Sequence, residues 1–152
     1  MANFQYKAGM HSVGQYQMSG IPFVSGSGFP IPVNSGAPHK VSFPRVSTWV
    51  IIENTGTKDL RVAFSENGAR SVAVSGYLQS QHFTIPAPNL VADSGSVSPL
   101  SRIRLDLRVK DIFLLSDDGS TTGTAQIIAG LTTISTSSVI DFDNWSGSLG
   151  VG

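Results

Sequence analysis

Residues 46–68 read VSTWVIIENTGTKDLRVAFSENG and decide the fold class of this chain. Residues 46–54 are mostly β-branched or aromatic, which predicts a strand buried on both faces at its centre. Asparagine, threonine and glycine at residues 54–57 predict a tight turn, because glycine can adopt a positive φ. Residues 60–65 alternate between apolar and polar types, which predicts a second strand with one wet face. Residues 66–68, Glu-Asn-Gly, predict another turn.

Outward from this hairpin, short apolar or alternating runs predict further strands. Turn-forming residues separate these runs, which are residues 40–44, 71–78, 81–85, 102–110, 111–116, 124–131 and 138–142. The clearest run is residues 102–110, where every second residue is Ile, Leu or Val and the others are charged, a period of two that no helix produces. Residues 124–131 predict a buried strand.

About eight strands and no convincing amphipathic helix predict an all-β protein. The spacing of the strands and the long loops between them favour an eight-stranded antiparallel jelly-roll sandwich. An immunoglobulin-like sandwich is disfavoured, because the Cys–Trp–Cys core of that fold is missing. The sequence therefore predicts a jelly roll made of two sheets.

The ends of the chain differ in composition from its middle. Residues 1–38 are rich in glycine and proline yet hold many large apolar side chains. We predict an extended arm with one early strand at about 13–24, and the arm lies along its own sandwich or along a neighbour's. Residues 39–142 are predicted to form the single jelly-roll domain, and residues 143–152 a glycine-rich C-terminal tail.

The 152-residue chain is poorly charged, since 13% of its residues are charged against a typical ~25%. Two readings are compatible with this composition: neighbouring subunits cover much of the surface, or hydroxyl side chains solvate it, as in extracellular or viral β-domains. Ten basic and ten acidic residues give a net charge of zero. This balance removes the electrostatic argument for nucleic-acid binding, so we expect no sequence-specific nucleic-acid partner.

The cysteine count and the hydropathy indicate the cellular compartment in which the protein is made and whether it inserts into a membrane. The chain holds no cysteine, which excludes disulfides, a thiolate nucleophile and a cysteine-based zinc site. No stretch approaches the ~18 apolar residues that span a bilayer. Residues 1–20 also lack the apolar core of a signal peptide. We expect a soluble protein that is made in a reducing cytosol and does not insert into membranes.

Catalytic and metal-binding patterns are weak. His11, His39 and His82 are scattered and fit neither the HxH nor the HExxH spacing, so we expect surface or interface roles for them. The GxSxG nucleophile elbow and the phosphate-binding glycine loops are absent. We predict no catalytic residue and no cofactor.

Two pairs of aspartates are the only candidates for a cation site. Asp117-Asp118-Gly119 predicts a turn whose side chains cap their own backbone. Asp141 and Asp143 lie two residues apart and could share a cation, as could Asp117 and Asp118. Neither pair matches the twelve-residue calcium loop, so a structural role is favoured over calcium and we predict no metal site.

The candidate interaction residues are large aromatics near the two ends and one basic strand face. The basic face of residues 102–110 carries four cations, three arginines and Lys110, together with Asp106. Three readings stay open: the solvated side of an outer sheet, a contact for acidic residues of a neighbour, or a site for a phosphate or a sugar acid. A large aromatic in a flexible tail anchors that tail in a pocket, its own or a neighbour's. The candidates for a subunit interface are Phe4, Tyr6, Tyr16, Phe23, Arg102, Arg104, Arg108 and Trp145.

Three stretches carry a family resemblance: HSVGQYQMSGIPFVSGS (residues 11–27), FPRVSTWVIIENTGTKDLRVAFSENG (residues 43–68) and NWSGSLGVG (residues 144–152). In this order they resemble the small single-jelly-roll capsid proteins of large icosahedral double-stranded DNA viruses of eukaryotes, namely the vertex (penton) and related minor capsid components. The resemblance spans nearly the whole chain, and its motifs are structural rather than catalytic.

The resemblance implies a structural capsid protein without enzymatic activity. It implies a homo-oligomer, expected to be a pentamer, at the icosahedral vertices of the virion, after synthesis in the host cytoplasm. Its partners would be copies of itself and the surrounding major and minor capsid proteins. A head-to-tail contact between copies closes into a ring, as such a pentamer requires.

Two other classes of protein share this architecture. A carbohydrate-binding or receptor-attachment module would use exposed aromatic side chains, for which Tyr77 and Trp145 are the candidates. A hydrolase on a β-sandwich would need a catalytic constellation, and the sequence offers no pattern for one.

Overall fold

The computed structural model describes residues 20–26, 30–70, 73–74, 77–78, 81–88, 101–139, 141–143 and 149–151. Two short helices occur within these ranges, the α-helix α1 (Glu66–Arg70) and a 3-10 helix (Thr136–Ser138). The strands are β1 (Ile21–Ser25), β2 (His39–Ser42), β3 (Ser47–Asn54), β4 (Leu60–Ala63), β5 (Ala73–Val74), β6 (Tyr77–Leu78), β7 (His82–Ile85), β8 (Arg102–Leu105), β9 (Asp111–Ser116), β10 (Ala125–Leu131), β11 (Asp141–Asp143) and β12 (Leu149–Val151).

Two four-stranded sheets make up most of the described structure. Sheet 1 has the strand order β1-β10-β3-β8, and sheet 2 has the order β2-β9-β4-β7. Neighbouring strands in both sheets are antiparallel. The predicted all-β fold, with eight strands in two antiparallel sheets, is confirmed. Two-stranded ribbons pair β5 with β6 and β11 with β12.

The two sheets pack face to face around one apolar core. Sheet 1 contributes Val50, Ile52 and Ile127 to this core, and sheet 2 contributes Leu60 and Leu114, all fully buried. Successive side chains of a strand point to opposite faces. The residues between these core positions therefore form the outer faces of the two sheets.

Strands also occur in the segments predicted as arm and tail. β1 pairs with β10 and is an edge strand of sheet 1. β12 pairs with β11. Among the described residues, no helix has the length and apolar character that crossing a membrane requires.

A buried asparagine holds the turn between β3 and β4. Asn54 Nδ2 donates to Lys58 O at 2.9 Å and to Ile85 O at 3.1 Å, while Asn54 Oδ1 accepts from Gly56 N at 2.9 Å. A Cβ at Gly56 would lie 3.0 Å from Thr124 N in the neighbouring turn, so glycine suits this position. The predicted turn after β3 is confirmed, and its asparagine also ties sheet 1 to β7 of sheet 2.

The strand predicted over residues 102–110 is wrong in its second half. β8 ends at Leu105, and the segment after it leaves the β3 ladder. Ser47 explains the departure, because its Oγ donates to Leu107 O at 2.8 Å and accepts from Val109 N at 3.0 Å. A backbone hydrogen bond from Ser47 N to Val109 O at 3.0 Å adds to these contacts, so the chain still meets β3 here, but without regular strand pairing. Leu107 is consequently exposed while Val109 is buried, so the predicted apolar face is divided.

The turn predicted at residues 66–68 is instead the start of helix α1. Ser65 directs the chain into the helix: its carbonyl oxygen accepts from Ala69 N at 3.2 Å and its Oγ accepts from Gly68 N at 3.2 Å. A serine in this position satisfies N–H groups that a first helical turn leaves without partners.

Burial of β3 on both faces at its centre, and burial of β10, were predicted, and both predictions are wrong for the outer side of these strands. In β10 the inner residues are buried, whereas Gln126 and Ile128 are exposed. In β3 the outer residues Ile51 and Glu53 are half-buried. The reason is that sheet 2 packs on the inner side only, and no described element lies on the outer side.

Candidate assembly surface

One row of side chains crosses the outer face of sheet 1, with one residue from each strand. Val24 of β1 lies opposite Ile128 of β10. Ile128 lies opposite Ile51 of β3, which lies opposite Arg104 of β8. Because Ile52 is buried in the core, its neighbour Ile51 and the rest of the row point away from the core. The row is apolar over three of the four strands.

Two side chains of this row are unusually exposed for their type. Val24 exposes 68% of its surface and Ile128 exposes 43%. Single exposed apolar residues are ordinary, whereas contiguous apolar patches mark interaction surfaces when they are large, and Val24 and Ile128 are neighbours on one face. Across the part of the chain that the structure describes, the large apolar residues that are exposed all lie in sheet 1 or directly after β8: Ile21, Val24, Leu107 and Ile128.

The charged end of the row lies on an aromatic ring. Arg104 Cζ is 5.4 Å from the centre of the half-buried Trp49 ring, a distance typical of a cation–π contact. Arg104 Nε and Nη2 both donate to Asp106 Oδ1 at 3.1 Å. These contacts hold the guanidinium at the β8 edge of the outer face.

A second row beside the first carries both signs of charge. Gln126 of β10 lies opposite Glu53 of β3, which lies opposite Arg102 of β8. Within the described ranges, neither Glu53 nor Arg102 forms a salt bridge. The outer face of sheet 1 therefore combines an apolar row with an acid and a base that have no ionic partner there.

The outer face of sheet 2 is covered by its own chain. Phe113 and Leu115 of β9 and Ala63 of β4 point away from the main core and pack with Ala69 of helix α1 in a separate buried cluster. Lys40 Nζ also lies 5.8 Å from the centre of the Phe113 ring. The apolar side chains on this face are consequently closed to a partner.

The structure separates the predicted interface residues. Phe23 turns inward, and its ring lies 5.1 Å from that of Phe43 in an edge-to-face contact, so it packs on its own core. Arg102 and Arg104 lie together on the outer face of sheet 1. Arg108 is exposed but lies beyond the end of β8, away from their strand. Outside the described residues lie Phe4, Tyr6, Tyr16 and Trp145.

Sequence reasoning missed Val24, Ile128 and Trp49 as surface residues. The sequence of β10 did contain a signal. Gln126 is polar and points outward, and Ile128, two residues later in the strand, points the same way. The apolar residues of both phases instead led to the prediction of a buried strand. Only the pairing of β10 between β1 and β3 brings these residues onto one surface.

The turns after β3 and β9 meet in a polar cleft of about 220 Å³. Asp118 Oδ1 accepts from Ser120 N at 2.8 Å and from Thr121 N at 2.6 Å, and Lys58 Nζ lies 3.2 Å from Asp118 Oδ2. These backbone hydrogen bonds, with help from Lys58, hold the pKa of the Asp118 carboxyl well below its usual value. The predicted capping of this turn by its own side chain is confirmed.

The other carboxylates of this cleft also have protein partners. Asp117 forms a salt bridge with Arg61, and Asp59 Oδ1 accepts from Ala87 N at 2.9 Å. In the described parts of the chain, no group of three or more His, Cys, Asp or Glu residues could hold a metal ion. The cleft is therefore a polar link between two turns. The predicted pair Asp141 and Asp143 lies in β11, outside the side chains that the structure describes.

The two described histidines lie far from each other in the sheet. His39 is in β2 and His82 is in β7, and these strands are opposite edges of sheet 2. Burial lowers the pKa of His39. His82 Nδ1 lies 3.1 Å from Gly68 O. They do not form a shared catalytic constellation, and His11 lies outside the described residues.

Comparisons with known proteins identify no family. No family model matches the chain, and neither a search of curated proteins nor a search of solved structures finds a match.

Proposed function

We propose that this chain is a structural capsid subunit of the penton type, a jelly roll that forms a homo-oligomer at icosahedral vertices. The pairing of the eight sheet strands supports the jelly-roll part of the proposal. Counted in chain order, the first strand pairs with the eighth, the second with the seventh, the third with the sixth and the fourth with the fifth. Nested antiparallel pairing of this kind results when one long hairpin is rolled up, which is how a jelly roll arises.

Because one fold serves many functions, the strand order alone does not select a capsid role. The choice is supported by the three sequence stretches that resemble penton and minor capsid proteins. It is also supported by the low charged fraction of 13%, which suits a surface covered by copies and by other capsid proteins. Major and minor capsid proteins of the same virion are the proposed partners beyond the oligomer.

A carbohydrate-binding role has less support from the described residues. Sugar sites commonly stack a ring on an exposed aromatic, and the residues that line the polar cleft are Thr57, Lys58, Asp59, Asp117 and Asp118. Tyr77 lies in β6, but its side chain is outside what the structure describes, as is Trp145.

The mass of the native oligomer tests the proposal. We expect the full-length protein, expressed alone, to sediment as a discrete multiple of its 16.0 kDa chain and to give a pentamer in native mass spectrometry. At about 100 µM protein, even a contact with a micromolar dissociation constant is mostly occupied. A strict monomer at that concentration contradicts the proposal. A monomer that also binds specific glycans on an array would support the carbohydrate-binding alternative instead.

A further inference from the structure

We propose that the outer face of sheet 1 is the surface on which a second copy of this chain docks. This inference rests on the proposed function, because it names the surface through which the capsid subunit associates with itself. Val24, Ile128 and Ile51 form the apolar centre of the surface. Glu53 and Arg102 form its charged border.

Exposed apolar area is the first argument for docking. Val24 and Ile128 are direct cross-strand neighbours, and both are exposed. Covering such side chains gains roughly 25 cal/mol per Å² of apolar area removed from water. The chain covers the comparable side chains of sheet 2 with helix α1, whereas no described element covers those of sheet 1.

The charges of the surface indicate what kind of partner fits it. A strongly acidic partner would be attracted by Arg102 and Arg104 but repelled by Glu53, and a strongly basic partner would meet the reverse. A second copy carries ten basic and ten acidic residues, so it offers both signs of charge. Its own acids and bases can pair with Arg102 and Glu53, which have no salt bridge in the described structure.

The shape of the surface also favours a protein partner. The outer side of an antiparallel sheet is an open face, while sites for small molecules are concave and enclose most of the ligand. In a closed ring the contact is heterologous, so this face meets a different surface of the next copy. One copy then offers the outer face of sheet 1, and its neighbour offers the complementary surface.

Charge substitutions on the face give the first test. Val24→Lys and Ile128→Lys place an ammonium group at the centre of the proposed contact, and Thr122→Lys is the matched control. Thr122 is exposed in the turn between β9 and β10, away from sheet 1's outer face. Sedimentation velocity over a dilution series measures the dissociation constant of each full-length variant. Circular dichroism melting checks that all three variants fold like the wild type.

We expect the two face variants to weaken association at least roughly 30-fold, as for a residue at the centre of an interface, and the control to stay within about twofold of the wild type. If folded face variants assemble as tightly as the wild type, the docking surface is wrong and the capsid proposal stands. If the wild type itself is a monomer at about 100 µM, the proposed function fails, and this inference fails with it.

A unique cysteine gives the second test, because the natural chain has none. Ile128→Cys and the control Thr122→Cys are reacted with a maleimide reagent at several protein concentrations. We expect Ile128→Cys to react at least about tenfold more slowly at concentrations where the oligomer is populated, and to react like the control once Val24→Lys is added to dissociate the oligomer.

The concentration dependence distinguishes a second copy from other occupants. Protection that is unchanged on dilution to the monomer, and that is lost when residues 1–19 are deleted, would mean that the chain's own N-terminal segment covers the face. That result overturns docking of a second copy at this site. Equal reactivity of Ile128→Cys and Thr122→Cys in the assembled oligomer also overturns it.

Discussion

The outer faces of the two sheets both carry large apolar side chains, but only one of them is covered. Over sheet 2, helix α1 follows β4 directly in the chain and lays Ala69 against Phe113 and Leu115. Over sheet 1, the row from Val24 to Ile51 has no described cover. The apolar residues on the two faces therefore have different surroundings: on sheet 2 they are buried against helix α1, and on sheet 1 Val24 and Ile128 are exposed.

The largest expected effect comes from a charge placed under helix α1. Ala69→Asp buries a short carboxylate among Ala63, Phe113 and Leu115, where it cannot reach water. We expect a loss of about 3–5 kcal/mol in the free energy of unfolding, because an uncompensated buried charge costs that much. Urea denaturation followed by circular dichroism measures the loss.

The matched control for this prediction is Ile128→Asp on the outer face of sheet 1. At a protein concentration where the chain is monomeric, we expect a smaller loss of about 1–2 kcal/mol, since the Ile128 side chain is partly exposed and the cost comes from lost packing and from the poor fit of aspartate in a strand. Equal losses for the two variants would remove the distinction between a covered face and an uncovered one.

A truncated side chain tests the same difference between the outer faces of the two sheets without adding a charge. Leu115→Ala removes a fully buried side chain beneath α1, and we expect it to destabilise the monomer by about 2–5 kcal/mol. Ile51→Ala, on the half-buried outer face of sheet 1, should cost about 1 kcal/mol, because less apolar area is lost from the fold. Thermal unfolding of both dilute proteins gives the order, and an inverted order would show that sheet 1's outer face is covered within the monomer.

Loss of the Asn54 hydrogen bonds, which connect sheet 1 to β7 of sheet 2, should have an intermediate effect on the free energy of unfolding. Asn54→Ala leaves the carbonyl oxygens of Lys58 and Ile85 without their side-chain donor and Gly56 N without its acceptor. We expect a loss of about 1–3 kcal/mol in unfolding free energy. Asn54→Asp keeps an acceptor for Gly56 N but removes both donors, so it should recover little of this loss. A neutral Asn54→Ala would show that the two sheets are held together by the apolar core alone.

A smaller effect is expected where Arg104 covers Trp49. Arg104→Ala removes the contact at 5.4 Å and should cost about 0.5–1 kcal/mol, while Arg104→Lys should retain part of it. Acrylamide quenching of Trp49 fluorescence should rise in Arg104→Ala, because the ring becomes more exposed. The chain has two tryptophans, so both variants are made in a Trp145→Phe background. Unchanged quenching would contradict the stacking.

The smallest expected effect is the pH dependence of the turn after β9. The folded chain holds the pKa of Asp118 below its unfolded value of about 3.9, so the ionised carboxylate stabilises the fold above that pH. The stabilisation disappears progressively as the pH falls below about 3.9 toward the lower folded pKa. We expect Asp118→Asn to melt below the wild type at pH 7 and the difference between the two melting temperatures to shrink steadily as the pH falls below about 3.9. A constant difference across this range would exclude the carboxylate as its cause.

Much of the fold could be predicted, because strand periodicity and turn chemistry are local properties. Residues 46–68 predicted β3, its turn and β4, and the structure confirms all three. The prediction failed after Leu105, since the end of β8 depends on hydrogen bonds from Ser47, which is distant in the chain. The helix α1 was missed for a related reason, because its single turn is supported by packing on β4 and β9 rather than by helical periodicity.

The candidate site was predicted only in part. Arg102 and Arg104 were found from their alternation, and they lie on the outer face of sheet 1. Val24 and Ile128 were not found, because each looks like an ordinary strand residue until β1 and β10 are paired. Phe23 looked like an interface residue by composition, but its strand phase turns it toward Phe43 in its own chain.

The local sequence was enough to predict the all-β class, the antiparallel sandwich, the asparagine-glycine turn and the self-capped aspartate turn. Each of these depends on residues close in sequence, whose φ preferences and alternation act without distant partners. The pairing of strands in the tertiary structure determines which apolar residues share the outer face of sheet 1 and which lie under helix α1. That choice needs contacts between strands that are more than a hundred residues apart, as β1 and β10 are, and no local preference encodes it.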